Sequence, residues 1–176
     1  MTSAARFEQV VLPHLDAAYN LARWLARNDH DAEDIVQEAF MRAVRYFDAM
    51  KGAEARPWLL AIVRNTGYSW LEKNRPADVV PLDDSEEGSA QMAAAADFST
   101  PEVILLQSAN RKLVNQALEE LPAGYREVIV MREIEDMSYK EIAAVAGIPM
   151  GTVMSRLARG RELLKISIEN RVRRAS

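Results

Sequence analysis

Apolar residues recur along this chain at helical spacing. Leu15, Tyr19, Ala22 and Leu25–Ala26 follow Pro13 and fall on one helix face. Ile35, Val36, Ala39, Phe40, Ala43, Val44 and Phe47 form a second stripe. Asp31, Glu33 and Asp34 open that helix, where acids suit the positive end of the backbone dipole. A third stripe runs through Trp58, Leu59, Ile62, Val63 and Thr66, with Pro57 suited to its first turn. Further on, Leu113, Ala117, Leu118 and Leu121 end a helix before Pro122, and Tyr125, Val128, Ile129 and Ile134 mark the next. Sustained apolar–polar alternation and Asn-Gly hairpin signals are missing. The pattern predicts an all-α fold.

One stretch interrupts the periodicity. Residues 77–102 carry prolines, small residues and a run of acids, and they exceed the length of ordinary loops inside a compact domain. The expected organisation is two small helical domains, 1–76 and 103–176, joined by an acidic flexible linker, 77–102. A short helix around Gln91–Ala96 is the alternative for part of that linker.

Charge divides the chain at the same places. The whole carries a formal charge of −4. Residues 1–76 hold 10 basic and 10 acidic side chains, the linker holds 7 acids and no bases, and residues 103–176 hold 12 bases and 9 acids. From Ser138 onward the balance is 8 bases to 3 acids. The overall acidity hides a basic C-terminal end, the distribution expected of a nucleic-acid-binding domain.

That basic end holds the clearest local motif. Ser138-Tyr-Lys-Glu141 reads as a capping box opening a short helix whose buried side is Ile142, Ala143 and Ala146. Gly147 permits a sharp turn, Ile148 plugs the joint, and Pro149 suits the first turn of a second helix. This is a helix-turn-helix pattern. On the second helix Val153, Leu157, Gly160 and Leu164 share one face. Thr152, Ser155 and Arg159 project from the other, with Arg156 on the flank. A short, hydroxylated, basic outer face can enter a DNA major groove. Arg161 lies nearer the core edge and reads as a phosphate contact or an internal ion pair. Arg171, Arg173 and Arg174 form a basic tail.

Two further groups stand out in the first block. Asp34, Gln37, Glu38, Met41 and Arg42 lie away from the apolar stripe, either as a solvated face or as a docking surface anchored by Met41. Arg64, Asn65, Tyr68, Trp70, Lys73 and Arg75 interleave aromatics with bases, a mixture suited to stacking on unpaired bases or to ordinary core packing.

Enzyme chemistry finds little support. The chain has 0 cysteines and 2 histidines, which excludes disulfides, thiolate metal sites and cysteine nucleophiles. Acids around His30 are explained by the helix start. Phosphate-cradling glycine loops, GxSxG and HExxH are missing. No catalytic residue, metal or cofactor is expected. No apolar run spans a bilayer and the start carries no signal-peptide pattern, so no membrane insertion is expected.

DAEDIVQEAFMRA, RPWLLAIVRN and the long segment from LEELPAGYREV to SRLARGRELL, in that order, resemble a bacterial extracytoplasmic-function (ECF) sigma factor of the sigma-70 family. The resemblance covers both blocks. It implies a cytoplasmic protein that binds the core of RNA polymerase and directs initiation at a bipartite promoter. Asp31, Glu33, Asp34, Gln37, Glu38 and Met41 would meet the clamp helices of the largest subunit. The loop from Asp48 to Ala55 and the helix after it would open the −10 element, through Lys51, Arg56, Arg64, Asn65, Tyr68, Trp70 and Lys73. Tyr139, Lys140, Thr152, Ser155, Arg156, Arg159 and Arg161 would read the −35 element. An anti-sigma factor is the implied regulatory partner. Met154 departs from the family, which often has Lys there. The rival is an autonomous helix-turn-helix regulator whose first block is a dimerisation or sensor domain.

Overall fold

The computed structural model describes residues 2–82 and 111–175, and every regular element among them is helical. Most of the linker, residues 83–102, including Asp83, Asp84, Glu86, Glu87 and the Gln91–Ala96 stretch, lies outside the described residues; its first residues are described, with a short turn at Pro76–Asp78 and Asp78 paired with Arg27.

Four helices build the first region. α1 (Ser3–Val11) has no counterpart among the helices expected from the sequence; the Thr2 hydroxyl caps it by accepting the Ala5 amide at 3.1 Å. α2 (Leu15–Ala26) follows a short turn at Pro13. α3 (Asp29–Tyr46) opens on Asn28, whose side chain accepts the Asp31 amide at 2.9 Å. α4 spans Ala55–Asn74. Helices α2, α3 and α4 pack around Leu21, Leu25, Ile35, Leu59, Leu60 and Leu71, all fully buried. A Cβ on Gly67 would sit 2.9 Å from Leu25 Cδ1, so its hydrogen side chain sets how closely α4 approaches α2. Phe7 of α1 meets Phe40 and Phe47 edge-on, closing one end of the bundle.

The apolar stripe of α3 is narrower than its sequence suggests. Ile35, Ala39, Ala43 and Phe47 are buried, but Val44 is 61% exposed. Each four-residue step advances a side chain by about 40° around the helix. The row Val36–Phe40–Val44 therefore drifts off the buried face.

The second region begins with α5 (Arg111–Glu120) and α6 (Ala123–Ile129), which runs into a wider turn over Val130–Ile134. Ile134, expected on an apolar face, is 47% exposed at the end of that turn. α7 (Tyr139–Ala146) carries the full capping box: Ser138 Oγ accepts the Glu141 amide and Glu141 accepts the Ser138 amide, both at 3.1 Å. Gly147 ends α7 at φ 68°, a left-handed conformation that suits glycine. α8 runs over Met150–Ala175. Pro149 stands just before it rather than within its first turn, and its carbonyl accepts the Val153 amide at 3.1 Å. Val153, Leu157 and Gly160 are buried as expected, and Leu164 is half-buried.

The two regions touch. α4 packs against α7, and α2 against α6. As a result α6 is enclosed on nearly all sides, between the first region and α8.

Candidate polymerase and nucleic-acid interfaces

The outer face of α3 presents Glu33, Asp34, Gln37, Glu38 and Met41 to solvent, opposite the buried Ile35–Ala39–Ala43 row. Met41 is 70% exposed, with Val44 at 61% and Tyr46 at 55% farther along the helix. Apolar side chains gathered among carboxylates and an amide form a surface suited to a protein partner. Arg42 reaches back to Glu38 at 2.7 Å. Asp31 is turned away from this strip: its carboxylate accepts from the Asn28 side-chain amide and pairs with Arg75, which ties the start of α3 to the end of α4.

The residues assigned to the −10 element divide into two groups. Lys51, Asn65 and Lys73 are exposed, and Trp70 is half-buried beneath Arg75, whose guanidinium lies 5.2 Å from the ring. Arg56, Arg64 and Tyr68 instead face the second region. Arg64 makes a bidentate pair with Glu127 of α6, at 2.9 and 3.1 Å, and stacks over the Tyr68 ring at 4.3 Å. Glu127 is completely buried. Burial pushes its carboxyl pKa up, with Arg64 and Tyr68 acting in opposition. For Arg64, burial works against the charge but the Glu127 carboxylate outweighs it, so the guanidinium is held above its usual value. Burial, then Glu127, raises the Tyr68 hydroxyl as well. Arg56 donates to the Glu135 carbonyl at 3.2 Å and to the Glu141 carboxylate at 2.9 Å.

The helix-turn-helix brings its candidate residues to the surface to differing degrees. Lys140 is exposed, and Tyr139, Thr152, Ser155, Arg156 and Arg159 are half-buried. Arg132 lies 5.0 Å from the Tyr139 ring. Ser155 Oγ donates to the Thr152 carbonyl at 3.1 Å, and Arg159 pairs with Glu162 one turn along. Of the two readings of Arg161, the geometry gives the internal pair: its side chain is 11% exposed and meets Glu133. In the tail, Arg171 is tied to Glu120 and Gln116.

Sequence pattern alone did not single out Arg126. It is 2% exposed and donates to the carbonyls of Trp24, Glu119, Leu121 and Leu25. The first and last belong to the end of α2, and the other two flank the end of α5. A cation at two helix C-termini suits their dipoles. Burial, then the nearby Arg27, lowers its pKa to about 10. The available signal was Arg-Glu inside the short apolar segment Tyr125–Val130, where helical spacing leaves no solvent face for both charges.

Comparison with known proteins bears on both regions. Residues 10–76 match the family model "Sigma-70 region 2", and residues 111–164 match "Sigma-70, region 4". The ECF RNA polymerase sigma-E factor of Escherichia coli (strain K12) is 36% identical over 151 residues, covering 82% of this chain and 77% of that protein. The chain belongs to the ECF sigma factors of the sigma-70 family. The sigma-E factor of Haemophilus influenzae is 34% identical over 152 residues, covering 85% of this sigma factor and 79% of its relative. Among solved structures, the sigma factor RpoE of Bartonella quintana, in complex with the anti-sigma factor NepR, matches with a TM-score of 0.69 and 26% identity. That alignment covers 93% of this chain and 97% of the other. The protein is an alternative sigma factor, which binds RNA polymerase and directs transcription from promoters. The autonomous-regulator reading is not favoured. Among the described residues, no helix is long and apolar enough to cross a membrane.

Proposed function

We propose that polymerase docking is carried by Asp34, Gln37, Glu38 and Met41, with Glu33 at the edge. The observation that supports this reading most is the exposed Met41 in a polar strip directly across α3 from a fully buried row. Asp31 contributes by fixing the start of the helix. Lys51, Arg56, Arg64, Asn65, Tyr68, Trp70 and Lys73 serve the −10 element, where cations meet phosphates and aromatic rings take unpaired bases. Tyr139, Lys140, Thr152, Ser155, Arg156 and Arg159 serve the −35 element through the major groove, and Arg161 supports them from within. The boundaries 1–76, 77–102 and 103–176 mark the corresponding units. The linker's acids act by charge against a basic channel of the polymerase. The protein works in the cytoplasm, without catalysis of its own. An anti-sigma factor holds it in check, a reading supported by the Bartonella relative, whose structure is a complex with one.

Glu38→Arg tests the docking strip. Its pair with Arg42 is exposed, so stability should change by no more than about 0.5 kcal/mol. Affinity for core polymerase should fall by about tenfold or more, the scale of a central interface contact. Titration of core with labelled sigma factor measures this. Equal affinity, with an unchanged melting temperature, would remove Glu38 from the interface.

A further inference from the structure

The entry turns of α8 carry an apolar patch that the hydroxyls and arginines of its outer face do not explain. Met150 opens the helix and is 48% exposed. Met154 follows one turn later and is half-buried. Four residues advance a side chain by about 40° around a helix, so the two methionines are neighbours on one flank. Thr152 and Arg156 stand on the opposite flank, with Ser155 between the two sides. Arg161 lies on the methionine side, two turns beyond Met154, but its guanidinium is turned to Glu133. In these first turns, that flank presents sulfur and methylene groups rather than charge. A Cβ on Gly151 would have nothing within 4 Å, so the space in front of the opening turn is clear.

The first turns of a reading helix are the part that lies deep in the major groove. The helix-turn-helix also carries Lys140, Arg156 and Arg159, which favour a polyanion over an apolar protein surface. On the floor of that groove, the C5 methyl of thymine is the apolar group a side chain can meet. Methionine suits it: the unbranched, polarisable thioether adapts its shape to a methyl without needing a fixed hydrogen-bond angle. We propose that Met154 reads a C5-methyl group in the −35 element, with Met150 shielding the contact from water. This rests on the assignment of α8 to that element. Met154 then sets a preference for thymine over cytosine at one position, a choice that Thr152 and Ser155 do not make, since a hydroxyl both donates and accepts. 5-Methylcytosine carries its methyl at the same place in the groove, so the contact extends to it.

Holoenzyme made from core polymerase and the full-length protein tests this on a promoter recovered by run-off transcription. Replacing each −35 thymine in turn by deoxyuridine, on either strand, removes one methyl and keeps every base-pairing hydrogen bond. One position should lose about fourfold in affinity, the scale of a single buried methyl group. Met154→Ala should bind the thymine promoter about fourfold more weakly and lose nothing further to deoxyuridine there. Cytosine at that position should bind more weakly than thymine. 5-Methylcytosine should recover about fourfold with the natural protein and nothing with Met154→Ala. Met154→Gln, similar in length but polar at its tip, should also abolish the deoxyuridine penalty, and it decides the matter if Met154→Ala does not fold. A penalty at no thymine, or an undiminished penalty in either variant, overturns the methyl contact. Weaker binding of core by Met154→Ala with its thymine preference intact also overturns it and makes the patch a polymerase contact. Natural holoenzyme that binds equally well to promoters with a randomised −35 sequence overturns the assignment of α8 itself, and the methyl contact falls with it.

Discussion

Leu157→Ala should destabilise the second region by about 2–5 kcal/mol, the range for truncating a large aliphatic side chain in a core that relaxes only in part. Leu157 is 1% exposed and belongs to the core cluster with Val153, Ile129 and Ile142. In a unit of this size each kcal/mol lowers the melting temperature by about 4–8 °C, so the change should be plain in a circular-dichroism melt. Binding to −35 duplex DNA should fall with it, uniformly across sequences, because the reading helix loses its seat. Arg159→Ala is the contrast. Its pair with Glu162 is partly exposed, and losing it should shift stability by no more than about 0.5 kcal/mol. If Arg159 meets a guanine, the loss should be about 1–3 kcal/mol at one promoter position. If it meets phosphate, binding should fall evenly and its salt dependence should shallow. A Leu157→Ala protein that melts like the original would mean that α8 is not held by this core.

Arg126→Met should cost about 3 kcal/mol or more. Hydrogen bonds from a charged donor contribute about 1.5–3 kcal/mol each, and two of the four from Arg126 are short, at 2.5 Å to the Leu121 carbonyl and 2.7 Å to the Trp24 carbonyl. Methionine fills most of the same space, so the loss reports the guanidinium rather than a cavity. The damage should be local at first. Amide exchange should quicken at the ends of α2 and α5, where the freed carbonyls recruit water and the helix ends fray. Denaturant unfolding of the full-length protein measures the cost. A change below about 0.5 kcal/mol would show that Arg126 is replaceable by solvent at this junction.

Local chemistry was legible in the sequence; the meeting of distant residues was not. The capping box at Ser138 and Glu141, the left-handed Gly147 and the inward Val153–Leu157–Gly160 row follow from rules that act within a few residues. The strip on α3 was legible because helical spacing alone separates Met41 from Ile35 and Ala39. Val44 and Ile134 were misplaced because periodicity gives a direction around the helix but not the width of the neighbour that covers it. α1 escaped notice because its apolar face is short, carried by Phe7, Val10 and Val11, and its packing depends on Phe7 finding Phe40 and Phe47 much later in the chain. For Tyr68 and Trp70 the sequence left packing and base stacking both open. Tyr68 is packed in this form, against an arginine whose partner is 63 residues away. Arg126 and Glu127 illustrate the same limit: their neighbours in sequence describe an apolar helix, and only tertiary contacts supply the counter-charges and carbonyls that make their burial tolerable.

Run-off transcription with purified core polymerase and a genomic promoter pool tests the central claim most directly. Core polymerase with this protein should yield discrete transcripts that core alone does not make, each starting downstream of a shared pair of −35 and −10 sequences. Sequence-specific binding to duplex DNA with no such transcripts would contradict that claim and return the chain to an autonomous helix-turn-helix regulator.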